Sequence, residues 1–434
     1  MEDTVGERLS FGNFRFGRKR SSVGNEIRFF QVGRVPLIGN PATGHLVGLS
    51  DDEVVLARAF AAGEVPLEAV ASIHEALADQ LRQGAYGAPQ PSWVRSAYLH
   101  VTHRCNLQCE GCYSWEGHRN RLPDPTADEL RCALRFLSRQ GIDELNVSGG
   151  EPFLRDDLPA VLEAAAIECG IPSINVLTNG TVLNPALLQA CAPFVSMLSV
   201  SFDGASADDE AWVRGEQRFD ELVAFVRAAQ EAGMSVCITP TLHRRNVGDI
   251  PRYMALADAL GVELGFSLLS PTSMGEVRHD LLLQGEDLRQ LAQLMLEAAE
   301  DGEGVAVESL ACGLACRDNC GAGITSLSVA ADGSVYPCHM MHDARFRMGN
   351  AFVGDGPTRE ERLAMAECVH AWDAESACST CDVRWICGGG CRARTLGAQT
   401  REDPYCETHR AFFGGVFDQI ERHLTKEDHH AVSH

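Results

Sequence analysis

Cys105, Cys109 and Cys112 put three thiols on one short loop, and Gly149-Gly150-Glu151-Pro152 follows at the end of an expected strand. A Cys-x3-Cys-x2-Cys spacing gathers enough thiolates to hold three irons of a four-iron cluster, leaving the fourth iron open as a reaction site. Zinc is the competing reading, but zinc sites usually take four protein ligands in paired spacings. No cysteine at ligand spacing and no ligand-spaced histidine pair separates Cys112 from Gly149. Gly149 and Gly150 carry no Cβ, so backbone can approach another group closely there.

These residues need a scaffold. From residue 92 to about 269, short apolar strands alternate with longer amphipathic helices, the pattern of a parallel sheet covered by helices. Strands are expected at 97–101, 142–147, 174–177, 197–202, 235–240 and 263–268. Helices are expected at 158–169, 219–232, 250–260 and after Thr126, where Thr126 and Glu129 form a capping box and Gly141 stops the run. Ligands of such sheets sit at the carboxyl ends of the strands, and every motif named here falls at such an end.

The cysteine loop, with Gly149 to Pro152 one helix and one strand later, resembles the radical S-adenosylmethionine (SAM) enzymes. The resemblance implies an α/β fold, a partial (β/α)6 TIM-like barrel, whose open iron chelates the amino and carboxylate groups of SAM. It implies that the Gly149-Gly150-Glu151-Pro152 strand hydrogen-bonds the SAM amino group. Thr178-Asn179-Gly180 and Ser201-Phe202-Asp203-Gly204 match weaker family elements. By that match Asn179 lines the SAM site, Ser201 and Asp203 bind the ribose hydroxyls, and Arg214 faces the SAM carboxylate. One position departs from the pattern: Gly111 stands where an aromatic residue often packs near the adenine, leaving Tyr113 or Trp115 as substitutes.

A second group of cysteines lies toward the carboxyl end. Cys320-x12-Gly333-x4-Cys338 spans an expected hairpin, with strands at 326–329 and 334–336 joined by an Asp332-Gly333 turn. Cys378-x2-Cys381-x5-Cys387-x3-Cys391 and Cys406 follow. This pattern resembles the SPASM auxiliary-cluster domain. The resemblance gives Cys320, Cys338, Cys391 and one upstream thiolate to a first auxiliary cluster, and Cys378, Cys381, Cys387 and Cys406 to a second. Cys312 and Cys316 compete for the upstream place, Cys312 offering more slack. Three 4Fe-4S clusters and SAM are then the cofactors. Paired cysteines also build zinc ribbons, the competing reading.

Before residue 91, short strands at 27–30, 35–38 and 45–48 precede helices at 51–61 and 67–83, and a Gly- and Pro-rich linker follows. This order is similar to the winged-helix-like module with which peptide-modifying radical SAM enzymes bind a leader peptide, by adding a strand to a sheet edge. The expected division is a recognition module and linker at 1–91, a radical SAM core at 92–305, a SPASM domain at 306–415 and a tail at 416–434, without periodic pattern after about Leu424.

Composition narrows the function. The 434 residues exceed one ordinary core. A net charge of -23 argues against nucleic acid, and the short basic run at Arg15, Arg18, Lys19 and Arg20 reads as a solvated arm. With no apolar run of about 18 residues and no export signal, a cytoplasmic protein without a membrane segment is expected. Its 17 cysteines then point to metal ligation rather than disulfides. Cys132, Cys169, Cys191, Cys237 and Cys368 lie apart from both groups and read as small buried residues.

The expected activity is maturation of a ribosomally made precursor peptide carrying a leader, installing an oxidative cross-link such as a thioether. A flavodoxin- or ferredoxin-type protein would supply electrons. A formylglycine-forming sulfatase maturase is the alternative. In that family an Asp beside the cysteine at the place of Cys338 serves as base, whereas this chain has His339, a candidate catalytic proton acceptor. A zinc-stabilised peptide-binding protein is the non-enzymatic alternative.

Overall fold

Strand pairing and helix capping explain most of the architecture. The computed structural model describes residues 27–86, 94–114, 119–271, 277–300, 306–307, 314–354, 356–371 and 376–431. The basic arm, most of the linker, Trp115 and Cys312 lie outside the described residues.

An antiparallel sheet comes first, with β1 (Arg28–Val32), β2 (Val35–Asn40) and β3 (His45–Gly48) in that order. One face of it packs with its own helices through Ile38, Val47, Phe60, Val70 and Leu77. The other face is not solvated: Val32, Val35 and Leu37 share a core with Phe266, Ile386, Phe413 and Phe417 from the rest of the chain. The helix expected at 67–83 divides into Leu67–Ile73 and Glu75–Gln83, because the ring of His74 caps the second by accepting from Leu77 N–H at 3.1 Å.

Six parallel strands follow: β4 (Ser96–His100), β5 (Glu144–Ser148), β6 (Ser173–Thr178), β7 (Met197–Phe202), β8 (Val236–Leu242) and β9 (Glu263–Leu268). Each lies within two residues of its expected place. The helix Ala127–Arg139 begins at the capping box, where Thr126 N–H donates to Glu129 Oε2 at 2.8 Å, and buries Leu130, Ala133, Leu134 and Leu137. The segment 158–169 starts as a helix at Leu158–Glu163 and widens into a π-turn at Ala164–Glu168.

The sheet does not end with these six strands. β10 (Ala306–Val307) extends it beside β9, while β11 (Ser326–Val329), β12 (Ser334–Tyr336) and β13 (Gly349–Asn350) extend it beyond β4. β11 runs parallel to β4 with Leu327 opposite Ala97, so the carboxyl-terminal hairpin and the central sheet share hydrogen bonds. The expected boundary at 305/306 therefore runs through one continuous ten-stranded sheet.

Leu145, Val147, Ile174, Val176, Leu198 and Val200 are buried against the helices. Alternation turns Asn146, Asn175, Ser199, Ser201 and Thr239 to the opposite, inner face. Closed (β/α)8 barrels fill that interior with branched apolar side chains, whereas here polar side chains alternate into it beside Leu177 and Met197.

The tail expected from 416 is corrected by a helix spanning Cys406–Ala431. Phe413, Phe417 and Ile420 form a helical stripe into the shared core, and Gly415 admits Leu296 of the helix Glu286–Glu300. The Gly414-Gly415 pair hides that periodicity in the sequence.

Candidate active site

Cys105, Cys109 and Cys112 occupy the loop after β4, at the carboxyl end of the sheet, as do the other expected SAM contacts. Gly150 N–H donates to Thr102 O at 2.8 Å and Glu151 N–H to Arg104 O at 2.7 Å, so the glycine segment runs against the chain entering Cys105. The fit requires glycine. A Cβ on Gly149, where φ is +134°, would stand 2.5 Å from Thr102 O, and one on Gly150 would overlap Arg104 O.

Glu151 is fully buried and joins three segments, accepting from Thr178 Oγ1 (2.7 Å), Asn179 N–H (2.7 Å) and Phe153 N–H (3.0 Å). Burial pushes its carboxyl up to about 7 against these three donors. Pro152 opens the short turn that follows. Asn179 Nδ2 in turn reaches Asn106 Oδ1 at 2.9 Å and lies 3.9 Å from Cys105 Sγ. The residues expected on either side of SAM are thus tied together by the protein itself.

Two expected contacts have other partners. Asp203 accepts from Arg214 Nη1 at 2.7 Å, Arg214 N–H at 2.6 Å and Val213 N–H at 3.2 Å. Its carboxylate shapes the loop carrying Arg214, whose largely buried guanidinium is its ion-pair partner. Arg214 keeps Cys109 within electrostatic reach. Ser201 is half-buried on the inner face.

Arg119 is a site residue that no motif announced. It is buried, and its Nη2 donates to Cys112 Sγ at 3.0 Å and Ser114 Oγ at 2.7 Å. Burial pushes the Cys109 thiol up to about 12, so forming thiolates here calls for cations. Arg119 and Arg214 supply two. Three thiols on one loop, two guanidinium groups and a Cβ-free edge fit an anionic iron–sulfur cluster with an open corner for SAM.

The carboxyl-terminal cysteines gather in two places. Cys378, Cys381, Cys387 and Cys406 line a single cavity with Arg384, His409 and Arg410. Although burial opposes it, Cys387 and Asp403 raise His409 to about 9, which keeps a positive charge beside the thiols. Cys338 and Cys391 pack against one small apolar cluster, and Cys320 is an electrostatic neighbour of Cys391. Cys316 goes elsewhere. It is buried against Gly39 of β2, its N–H donates to Gly44 O at 2.9 Å, and its charged neighbours are Asp318 and Arg28.

His339 joins the two sites. Its ring stacks on Tyr98 with centroids 3.9 Å apart and meets Tyr113 edge-on at 5.0 Å, while Nδ1 lies 3.7 Å from Cys338 Sγ. Burial, followed by His342, lowers His339 to about 3, so the imidazole is neutral. Enclosed between two tyrosines, its ring packs edge-on against Tyr113. Tyr113 also bonds Ser148 Oγ at 2.9 Å. The alternation of polar Tyr98 and His100 with apolar Ala97 and Leu99 was the signal for this inner wall.

Among the described residues, no helix is long and apolar enough to cross a membrane. Residues 99–257 match the family described as the radical SAM superfamily. The chain is 28% identical over 309 residues to mycofactocin maturase MftC of Mycolicibacterium smegmatis, covering 68% of this chain and 76% of that one. Among solved structures, anSMEcpe with bound AdoMet and Cp18Cys peptide aligns with a TM-score of 0.61 at 18% identity, over 76% of this chain and 99% of that one. Streptococcus suis SuiB bound to precursor peptide SuiA aligns at 0.58 and 14%, over 87% and 97%. Both share the fold. Cysteine loop, glycine strand and family match agree over one stretch of the chain: residues 99–257 carry a radical SAM domain.

Proposed function

We propose that the chain is a SPASM-type peptide maturase that takes a hydrogen atom from a ribosomally made peptide and closes an oxidative cross-link, such as a cysteine thioether. The observation that carries this reading is the set of neutral polar side chains, Asn146, Asn175, Ser199, Ser201 and Thr239, on the inner face of the barrel, which suits peptide amides. The names of the maturase relative and of the peptide-bound structural neighbours support it.

Cys105, Cys109 and Cys112 would hold the SAM cluster, and Cys378, Cys381, Cys387 and Cys406 an auxiliary one. Cys320, Cys338 and Cys391 would hold another, with Cys312 as the fourth ligand, since Cys316 is engaged with β2. A cluster held by Cys105, Cys109 and Cys112 would supply the electron for reductive cleavage of SAM, the chemistry that makes hydrogen abstraction from the peptide possible. The chain's own residues hold the reactants: Asn179 and the glycine strand fix the edge of the SAM site, and Arg214 offers a guanidinium to the SAM carboxylate. His339 and Tyr113 close the wall between the two cysteine groups. A leader would add to the three-stranded sheet, and a ferredoxin- or flavodoxin-type protein would start the cycle.

The test uses anaerobically reconstituted protein, SAM, dithionite and a cysteine-bearing peptide made from a short open reading frame sought beside the gene. Mass spectrometry should show a peptide lighter by two hydrogen atoms, with a cysteine no longer alkylated by iodoacetamide, and 5'-deoxyadenosine in the supernatant. An aldehyde trapped by hydrazide would instead indicate formylglycine. Iron-loaded protein that makes no 5'-deoxyadenosine, or colourless protein holding only zinc, would reject the proposal.

A further inference from the structure

His100 ends β4 on the inner face and is only 2% exposed, yet its Nε2 has no hydrogen-bond partner. A buried polar atom left unpaired costs about 1–3 kcal/mol, so such an atom at a site calls for a partner that arrives later. The surroundings define that partner. His100 is in register with Ser148 on β5, whose Oγ meets the hydroxyl of Tyr113 at 2.9 Å. The rings of His342 and Tyr113 stand 4.5 and 6.1 Å from the His100 ring. His342 is fixed in turn by stacking on Tyr336 and by a 2.8 Å bond to Ser328 Oγ. The side chains around His100 are therefore polar and already committed to one another, and its Nε2 alone is left without a partner among them.

We propose that His100 Nε2 is a substrate-positioning contact, hydrogen-bonding a neutral polar group of the peptide, an amide or a hydroxyl, at the residue presented to the SAM site. This rests on the peptide-maturase reading and deepens it. Burial, reinforced by His342 and His339, holds the imidazole uncharged, so it offers a carboxylate no counter-charge. An ammonium group would meet Arg119 nearby. A neutral polar group satisfies the Nε2 without bringing a charge into low-dielectric surroundings.

The experiment compares wild type, His100→Leu and His100→Gln as reconstituted holoenzymes, using the peptide made from that open reading frame. Two readouts are taken: KM for that peptide, and 5'-deoxyadenosine formed per peptide modified. His100→Leu should raise KM about tenfold, the loss of one hydrogen bond of about 1.4 kcal/mol, and should raise the nucleoside-to-product ratio severalfold. His100→Gln, neutral and able to reach, should recover most of both. If leucine strips iron from the protein, His100→Asn, polar but too short, replaces it with the same expectation. A leucine or asparagine variant with wild-type KM and ratio overturns the assignment while leaving the maturase reading intact. A wild-type enzyme that cleaves SAM yet modifies no peptide overturns both.

Discussion

The buried guanidinium of Arg119 lies 3.0 Å from the Sγ of half-buried Cys112. A charge-assisted hydrogen bond of this kind is worth about 1.5–3 kcal/mol, and more when water is excluded. Arg119→Met should weaken iron retention in the SAM cluster by at least about tenfold. Chelator-challenge kinetics read by electron paramagnetic resonance would measure it. Unchanged retention would mean that the arginine only fills space.

Gly150→Ala should abolish SAM cleavage, because the new Cβ meets the backbone carbonyl of Arg104, which cannot swing aside as a side chain would. The auxiliary iron should stay. Iron analysis beside a 5'-deoxyadenosine assay separates a displaced cysteine loop from general misfolding.

Cys316→Ala should keep the full iron content, whereas Cys320→Ala should lose an auxiliary cluster. Cys316 is packed on β2, away from the other thiols, so its truncation costs about 1 kcal/mol of packing. A Cys316→Ala protein short of iron would restore that residue as a ligand and displace Cys312.

Arg394 and Asp403 are both almost completely buried and paired at 2.9 Å, and Asp403 also accepts from the N–H of Cys391 at 2.6 Å. Asp403→Asn would strand the guanidinium, at a cost of about 3–5 kcal/mol. Denaturant unfolding should show that loss, with auxiliary iron released first. A shift within about 0.5 kcal/mol would contradict the pairing.

Acid should destabilise the protein partly through His370. Its Nε2 meets Ala322 O at 2.9 Å, and burial lowers it to about 4 from an ordinary value near 6.5. The folded state favours the neutral ring, so this contribution is complete above about pH 6.5 and is lost as pH falls toward 4. By pH 5 about 2 kcal/mol of it is gone. His370→Gln should show a smaller drop in unfolding midpoint between pH 7 and 5 than wild type; equal drops would remove the assignment.

Local patterns carried much of this architecture. The six central strands and the 326–336 hairpin were legible because alternation and turn glycines act within a few residues. The cysteine loop was legible for the same reason. What escaped depends on contacts distant in the chain. Arg119 has no spacing that marks it, the pairing of Asp203 with Arg214 needed the loop closed, and the helix Cys406–Ala431 was masked by Gly414-Gly415 at its contact with Leu296. His74, read as part of one helix, ends one and starts another.

The same applies to the division into modules. Val32, Val35 and Leu37 of the first sheet share a core with Phe413 and Phe417, Arg28 lies 4.2 Å over the Trp385 ring, and Arg34 N–H reaches Glu421 at 2.5 Å. Deleting residues 1–90 would therefore expose apolar surface as well as remove the sheet edge proposed to take the leader. Leader binding is better probed by single changes on the solvent side of β3.

That shared core also governs how such a chain can be re-engineered. A recognition cassette cut from another scaffold and spliced on at residue 90 would arrive without the complementary surface that the last helix demands. Successful chimeras would have to transplant the opening and closing segments of the polypeptide together, as one inherited unit.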